Sequence, residues 1–211
     1  MNKFIICGQP RAGKTTVLNA IRDSGINACQ FEPFWIESRT KTNVSCSYYD
    51  HVAFSSSVLN QFDGFEIVLG HTQQLQEICN ANNAGLIAVR RRDLYVHIAS
   101  YIMLLVGWAG GRNRNLCWNE DLIKKIPFFN HHIDKIIYNN WLIDNVIPTY
   151  KTYVLTIEYE NMSDSSDLLS TYLGKRIELV NHPPADLSHY FTNPDNFISD
   201  IDQRLEQLHG Q

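Results

Sequence analysis

Nine residues near the start of the chain carry its most specific chemistry. Gly8-Gln9-Pro10-Arg11-Ala12-Gly13-Lys14-Thr15-Thr16 follow the short apolar run Phe4-Ile5-Ile6-Cys7 and precede Val17-Leu18-Asn19-Ala20-Ile21, whose pattern is that of a helix beginning. Two glycines allow backbone N–H groups to turn inward around an anion, a helix start adds partial positive charge, and Lys14 and Arg11 add full ones. A strand, a phosphate loop (P-loop) and a helix in that order predict that the chain grips a phosphorylated nucleotide.

Further positions could complete such a site. The run Leu86-Ile87-Ala88-Val89 leads into Arg90-Arg91-Arg92-Asp93, and Ser100 follows Arg92 by eight residues inside a helical pattern. An arginine at a strand end and a hydroxyl two turns on can converge on one terminal phosphate. Arg90 and Arg91 by themselves fit ordinary surface ion pairs equally well. Glu32 stands 21 residues after Arg11, between Phe31 and Pro33 with Trp35 close by. Partial desolvation there would raise its pKa toward the range useful for accepting a hydroxyl proton. His71 follows the run Phe65 to Leu69 and could take such a proton near neutral pH. The spacing of the loop also satisfies Walker A, in which Lys14 holds the β- and γ-phosphates and Thr15 the magnesium of a kinase. That chemistry usually needs an aspartate at a second strand end, and the candidate ends here carry Gly70, Arg90 and Glu158.

Taken together, these segments resemble the sulfotransferases that use 3′-phosphoadenosine-5′-phosphosulfate (PAPS). Pro-Arg-Ala-Gly followed by Thr-Thr is similar to their Pro-Arg-Ser-Gly-Thr-Thr loop, and Arg92 with Ser100 is similar to their second phosphate-binding segment. Phe31-Glu32-Pro33-Phe34-Trp35 resembles the Phe-Glu-Pro-x-Trp segment of carbohydrate 6-O-sulfotransferases, and Tyr159-Glu160-Asn161 resembles a Tyr-Glu-Asp segment beside the nucleotide. The resemblance spans residues 4 to 162. It implies an enzyme that moves a sulfuryl group from PAPS to the hydroxyl of a small molecule or glycan, without a metal. Pro10, Arg11, Ala12, Gly13, Lys14, Thr15, Thr16 and Tyr159 would bind the nucleotide, and Arg92 and Ser100 its 3′-phosphate. Arg11 and Lys14 would stabilise charge during transfer. Glu32 is the first choice of base and His71, placed like the histidine of cytosolic members, the second. Lys14 departs from the Ser or Thr usual in the family, and this keeps an ATP-dependent small-molecule or nucleotide kinase as the alternative. Trp35, Tyr48, Tyr49 and Trp108 could stack on a sugar.

These residues need a scaffold of alternating strands and helices. Strands are expected at Lys3 to Cys7, Ala28 to Phe31, Phe65 to Leu69, Gly85 to Val89 and Tyr153 to Ile157, each short and apolar enough to be buried on both faces. Helical spacing covers 15–22, 73–80, 94–106, 120–126, 133–146, 165–172 and 198–208. The polar stretch 38–60 has weak periodicity and reads as a surface segment. The expected fold is α/β, a doubly wound three-layer α/β/α arrangement on a parallel sheet, with the P-loop after strand 1 and ligands at the carboxyl ends of the strands. All 211 residues are read as one domain. Eighteen Lys and Arg against 22 Asp and Glu leave a net charge of −4, which speaks against a nucleic-acid surface. Five scattered cysteines form no Cys-x-x-Cys pair and eight histidines show no ligand spacing, so neither a disulfide framework nor a metal site is expected. No apolar run is long enough for a membrane span, and the expected location is the cytoplasm.

Overall fold

The computed structural model describes residues 2–30, 51–68, 72–108, 115–183 and 185–209. Its strands are β1 (Lys3–Gly8), β2 (Gly64–Val68), β3 (Ala84–Arg90) and β4 (Val154–Glu158). Its α-helices are α1 (Lys14–Asp23), α2 (His51–Gln61), α3 (Thr72–Asn82), α4 (Leu94–Trp108), α5 (Glu120–Lys124), α6 (Phe129–Asn145), α7 (Ser166–Leu173) and α8 (Pro194–His209). The chain folds into two units, Met1–Arg92 with Tyr138–His182, and Asp93–Ile137 with Pro183–Gln211.

The first unit is a parallel sheet with strand order β2-β1-β3-β4 and helices on both faces. Successive side chains of a strand point to opposite faces, and β1 divides its residues accordingly. Phe4 and Ile6, with Ile87, Val89, Leu155 and Ile157, pack under Val17, Leu18 and Ile21 of α1, Met162, and Leu169 and Leu173 of α7. Ile5 and Cys7, with Phe65, Leu86 and Ala88, pack under Val58 and Leu59 of α2, Leu75 and Ile78 of α3, and Leu142 and Ile143 of α6. The three-layer α/β arrangement expected from the sequence is therefore present. Burial on both faces is what makes β1 and β3 read as unbroken apolar runs.

Two local expectations change. His51–Gln61 is a helix rather than irregular surface chain. Its buried positions are Ser55, Val58 and Leu59, and a serine on the inward face hides the helical period. The expected strand at Ala28 to Phe31 is, among the described residues, a single parallel bridge from Ala28 to Gly64 on the outer side of β2.

Topology places the site. From β1 the chain moves outward to β2 and then crosses back to β3 on β1's other side. Connections leave β1 and β3 in opposite directions, and the crevice at their carboxyl ends is the switch point where open α/β sheets bind ligands.

The second unit is helical, with a core that includes Ile98, Ile102, Ile133, Ile136 and Ile201. Trp118 sits among Phe129, Phe191 and Phe197 with ring centroids 5.0 to 5.5 Å away, and its indole N–H donates to Asp200 at 2.8 Å. Asp134 accepts from both Nε and an Nη of Arg204. Among the described residues no helix is long and apolar enough to cross a membrane.

Candidate functional site

β1 ends at Gly8 hard against β3: a Cβ there would lie 2.3 Å from the Val89 carbonyl oxygen. Only a glycine lets the strand exit so close to its neighbour. The chain then turns sharply. Ala12 N–H donates to the Gln9 carbonyl at 3.2 Å, while Thr16 and Val17 N–H donate to the Gly13 carbonyl at 3.1 and 3.3 Å to start α1. Arg11 and Gly13 both take left-handed backbone angles, φ 66° and 101°. Turns of this kind bring successive N–H groups into an anion-binding concavity. Among the described residues no side chain caps α1, whereas Asn119 caps α5 by accepting from Leu122 N–H at 2.9 Å. The positive pole of α1 is thus not neutralised by a capping side chain.

Lys14 is 7% exposed and its Nζ donates to the Gln9 carbonyl at 3.2 Å, so its charge lies on the inside of the turn. The Thr15 hydroxyl lies 3.2 Å from both carboxylate oxygens of Glu66, which sits in β2 and is 8% exposed. Glu66 is a site residue that sequence reasoning missed. Its signal was present all the same, since a carboxylate inside an apolar strand is rarely buried without a partner. Cys7 immediately precedes the loop. Burial, reinforced by Cys79, pushes its thiol well above the ordinary value and Lys14 offsets this only in part, so it stays protonated and is no nucleophile.

The other strand ends meet the loop. Arg91 Nε donates to the Arg11 carbonyl at 2.9 Å, and its guanidinium carbon stands 4.5 Å from the centre of the Tyr159 ring. Tyr159 stacks on His182 at 4.7 Å with the planes 7° apart. It also fills the space beside Gly13, where a Cβ would come within 2.2 Å of the Tyr159 ring. Arg92 N–H donates to Glu160 Oε2 at 2.9 Å. The loop after β1, the arginines after β3 and the tyrosine after β4 are therefore one connected group.

The arginine triplet divides in function. Arg90 pairs with Asp144 and with Glu158, the latter at 2.7 Å, and acts as an ion-pair tie between elements. Arg91 is a strut of the loop, and the Arg92 side chain is exposed. Ser100 is 2% exposed, within α4 of the second unit. Glu32 and His71 lie outside the described residues, as do Trp35, Tyr48 and Tyr49. Among the described residues no group of three His, Cys, Asp or Glu side chains could hold a metal ion.

No family model matches the chain, and no curated protein matches it. A tight turn with two left-handed residues, a buried ammonium and a helix start without a capping side chain can together bind an anion of two or more linked oxyanion groups. Arg92, one strand further along, can meet a separate negative charge.

Proposed function

We propose that the chain is a PAPS-dependent sulfotransferase acting on an acceptor hydroxyl, with a carbohydrate as the favoured class. The observation that carries this reading is the contact of three segments far apart in sequence: Arg91 bonds to the loop at Arg11, Tyr159 packs on Gly13, and Arg92 is pinned to Glu160. Those are the segments that the resemblance assigns to the phosphosulfate, the nucleoside and the 3′-phosphate. In this reading the acceptor oxygen attacks sulfur, the bond from sulfur to the bridging oxygen breaks, and adenosine 3′,5′-bisphosphate leaves. Arg11, Lys14 and the N–H groups of the turn stabilise charge on the bridging and sulfuryl oxygens. Glu32, or failing it His71, takes the hydroxyl proton. Arg92 binds the 3′-phosphate and selects PAPS over ATP. The cytoplasm is the location this reading carries over from the sequence, whose five cysteines have no spacing of a disulfide framework.

Arg92→Ala tests the assignment. Loss of one charge-assisted contact of about 1.5 kcal/mol weakens adenosine 3′,5′-bisphosphate binding about tenfold while leaving pyrophosphate binding unchanged. Equal affinity for the bisphosphate in wild type and variant removes Arg92 from the site.

One observation favours a second reading, an ATP-dependent kinase. The Thr15 hydroxyl and the Glu66 carboxylate, 3.2 Å apart beside Lys14, are the donor types that hold a magnesium ion on a nucleoside triphosphate. Calorimetry separates the two. Tight binding of adenosine 3′,5′-bisphosphate that chelator does not change supports sulfuryl transfer. ATP binding that disappears with chelator and in Glu66→Ala supports the kinase.

A further inference from the structure

The first unit holds a cavity of about 510 Å³ that the residues discussed so far do not account for. One wall is a stripe of α1. Thr16, Asn19, Ala20 and Asp23 line it at three- and four-residue spacing, so they share a helix face, and the stripe runs about 10 Å at 1.5 Å per residue. The opposite wall is the segment after α7, from Arg176 to His182. Both walls begin at the loop after β1. Thr16 lies in the first turn of α1, its N–H donating to the Gly13 carbonyl, and His182 stacks on the Tyr159 ring that packs against Gly13.

We propose that this cavity receives the base and ribose of the nucleotide whose phosphates the loop grips, an inference that rests on the reading of that loop given above. The volume lies in the range of about 300 to 1,000 Å³ usual for small-molecule sites. The lining suits a nucleoside on both counts. Ala20 and Leu179 offer apolar surface and His182 an aromatic ring to a flat base, while the Asn19 amide and the Asp23 and Glu178 carboxylates can accept N–H groups of a base edge or ribose hydroxyls. Charge decides which end of the ligand enters. Two carboxylates against the single guanidinium of Arg176 repel a phosphate, so the anionic groups stay with the loop and with Arg92.

Asn19 is exposed on α1, so Asn19→Trp can fill the cavity without disturbing the core. Calorimetry with adenosine 3′,5′-bisphosphate, ATP and pyrophosphate reads the result, with thermal unfolding checking that the variant folds. The expected result is a loss of about tenfold or more in affinity for whichever nucleotide the wild type binds, with pyrophosphate affinity unchanged. Asp23→Asn, which preserves shape, loses about threefold or more through a weakened acceptor. Wild-type nucleotide affinity in both variants overturns the cavity assignment and leaves the proposed function standing. Parallel loss of pyrophosphate binding in Asn19→Trp also overturns it, because the cavity is then part of the phosphate path. Should wild-type protein bind neither nucleotide, the loop reading falls and the cavity assignment with it.

Discussion

Gly13→Ala lowers the stability of the first unit by about 2–6 kcal/mol, through two mechanisms. Gly13 has φ 101°, outside the range that L-residues adopt readily, and holding a non-glycine residue there costs about 1–3 kcal/mol. The added methyl also meets the Tyr159 ring at 2.2 Å. That ring has little room to yield, since it is already in contact with Arg91 and with His182, and overpacking of this kind costs about 1–3 kcal/mol more. Urea unfolding measures the sum. The two parts separate in a Tyr159→Ala background, where the clash is gone and only the backbone cost remains. A coupling of about 1 kcal/mol or more between the two substitutions is expected, and strict additivity would contradict the packing argument. Anion binding falls in the same variant, because the turn opens where its N–H groups must converge.

Lys14→Met weakens both stability and binding. The ammonium is almost wholly enclosed and donates to the Gln9 carbonyl, so an apolar side chain leaves a buried acceptor without this donor, at a cost of about 1–3 kcal/mol. Melting temperature is therefore expected to fall. Nucleotide affinity falls as well, through the lost phosphate contact. A charge-assisted contact to phosphate contributes about 3 kcal/mol at its strongest, so affinity drops by about a hundredfold. Lys14→Arg does not restore it, because a planar fork cannot follow the path of a single ammonium into the turn. Calorimetry with the preferred nucleotide and a thermal melt decide the matter. Unchanged affinity in Lys14→Met means that the turn does not hold the phosphates.

Strand positions were legible because burial on both faces leaves an unmistakable mark. Lys3 to Cys7 became Lys3–Gly8, and Gly85 to Val89 became Ala84–Arg90, since a run such as Phe-Ile-Ile-Cys has no polar face to present to water. The tight turn after β1 was legible for a different reason. Gly8 and Gly13 are required by close approach and a left-handed angle, and such requirements fall on single residues. Helix α2 escaped notice because it buries Ser55 and shows polar residues on both sides of its apolar positions.

Longer-range features had no such local mark. Glu66 reads as one irregularity in Gly-Phe-Glu-Ile-Val until the β1–β2 register brings it to Thr15. Nothing near Arg91 in the chain says that it will bond to Arg11 or lie over Tyr159, and nothing near His182 says that it will extend the stack. The sequence by itself determined the alternation of strands and helices and the place of the glycine turn between β1 and α1, because burial and backbone angle are properties of neighbouring residues. Tertiary structure alone decided which arginine braces that turn, which carboxylate reaches Thr15 and where the cavity lies. Those depend on strand order, which joins residues far apart in a chain whose local preferences are blind beyond a few turns.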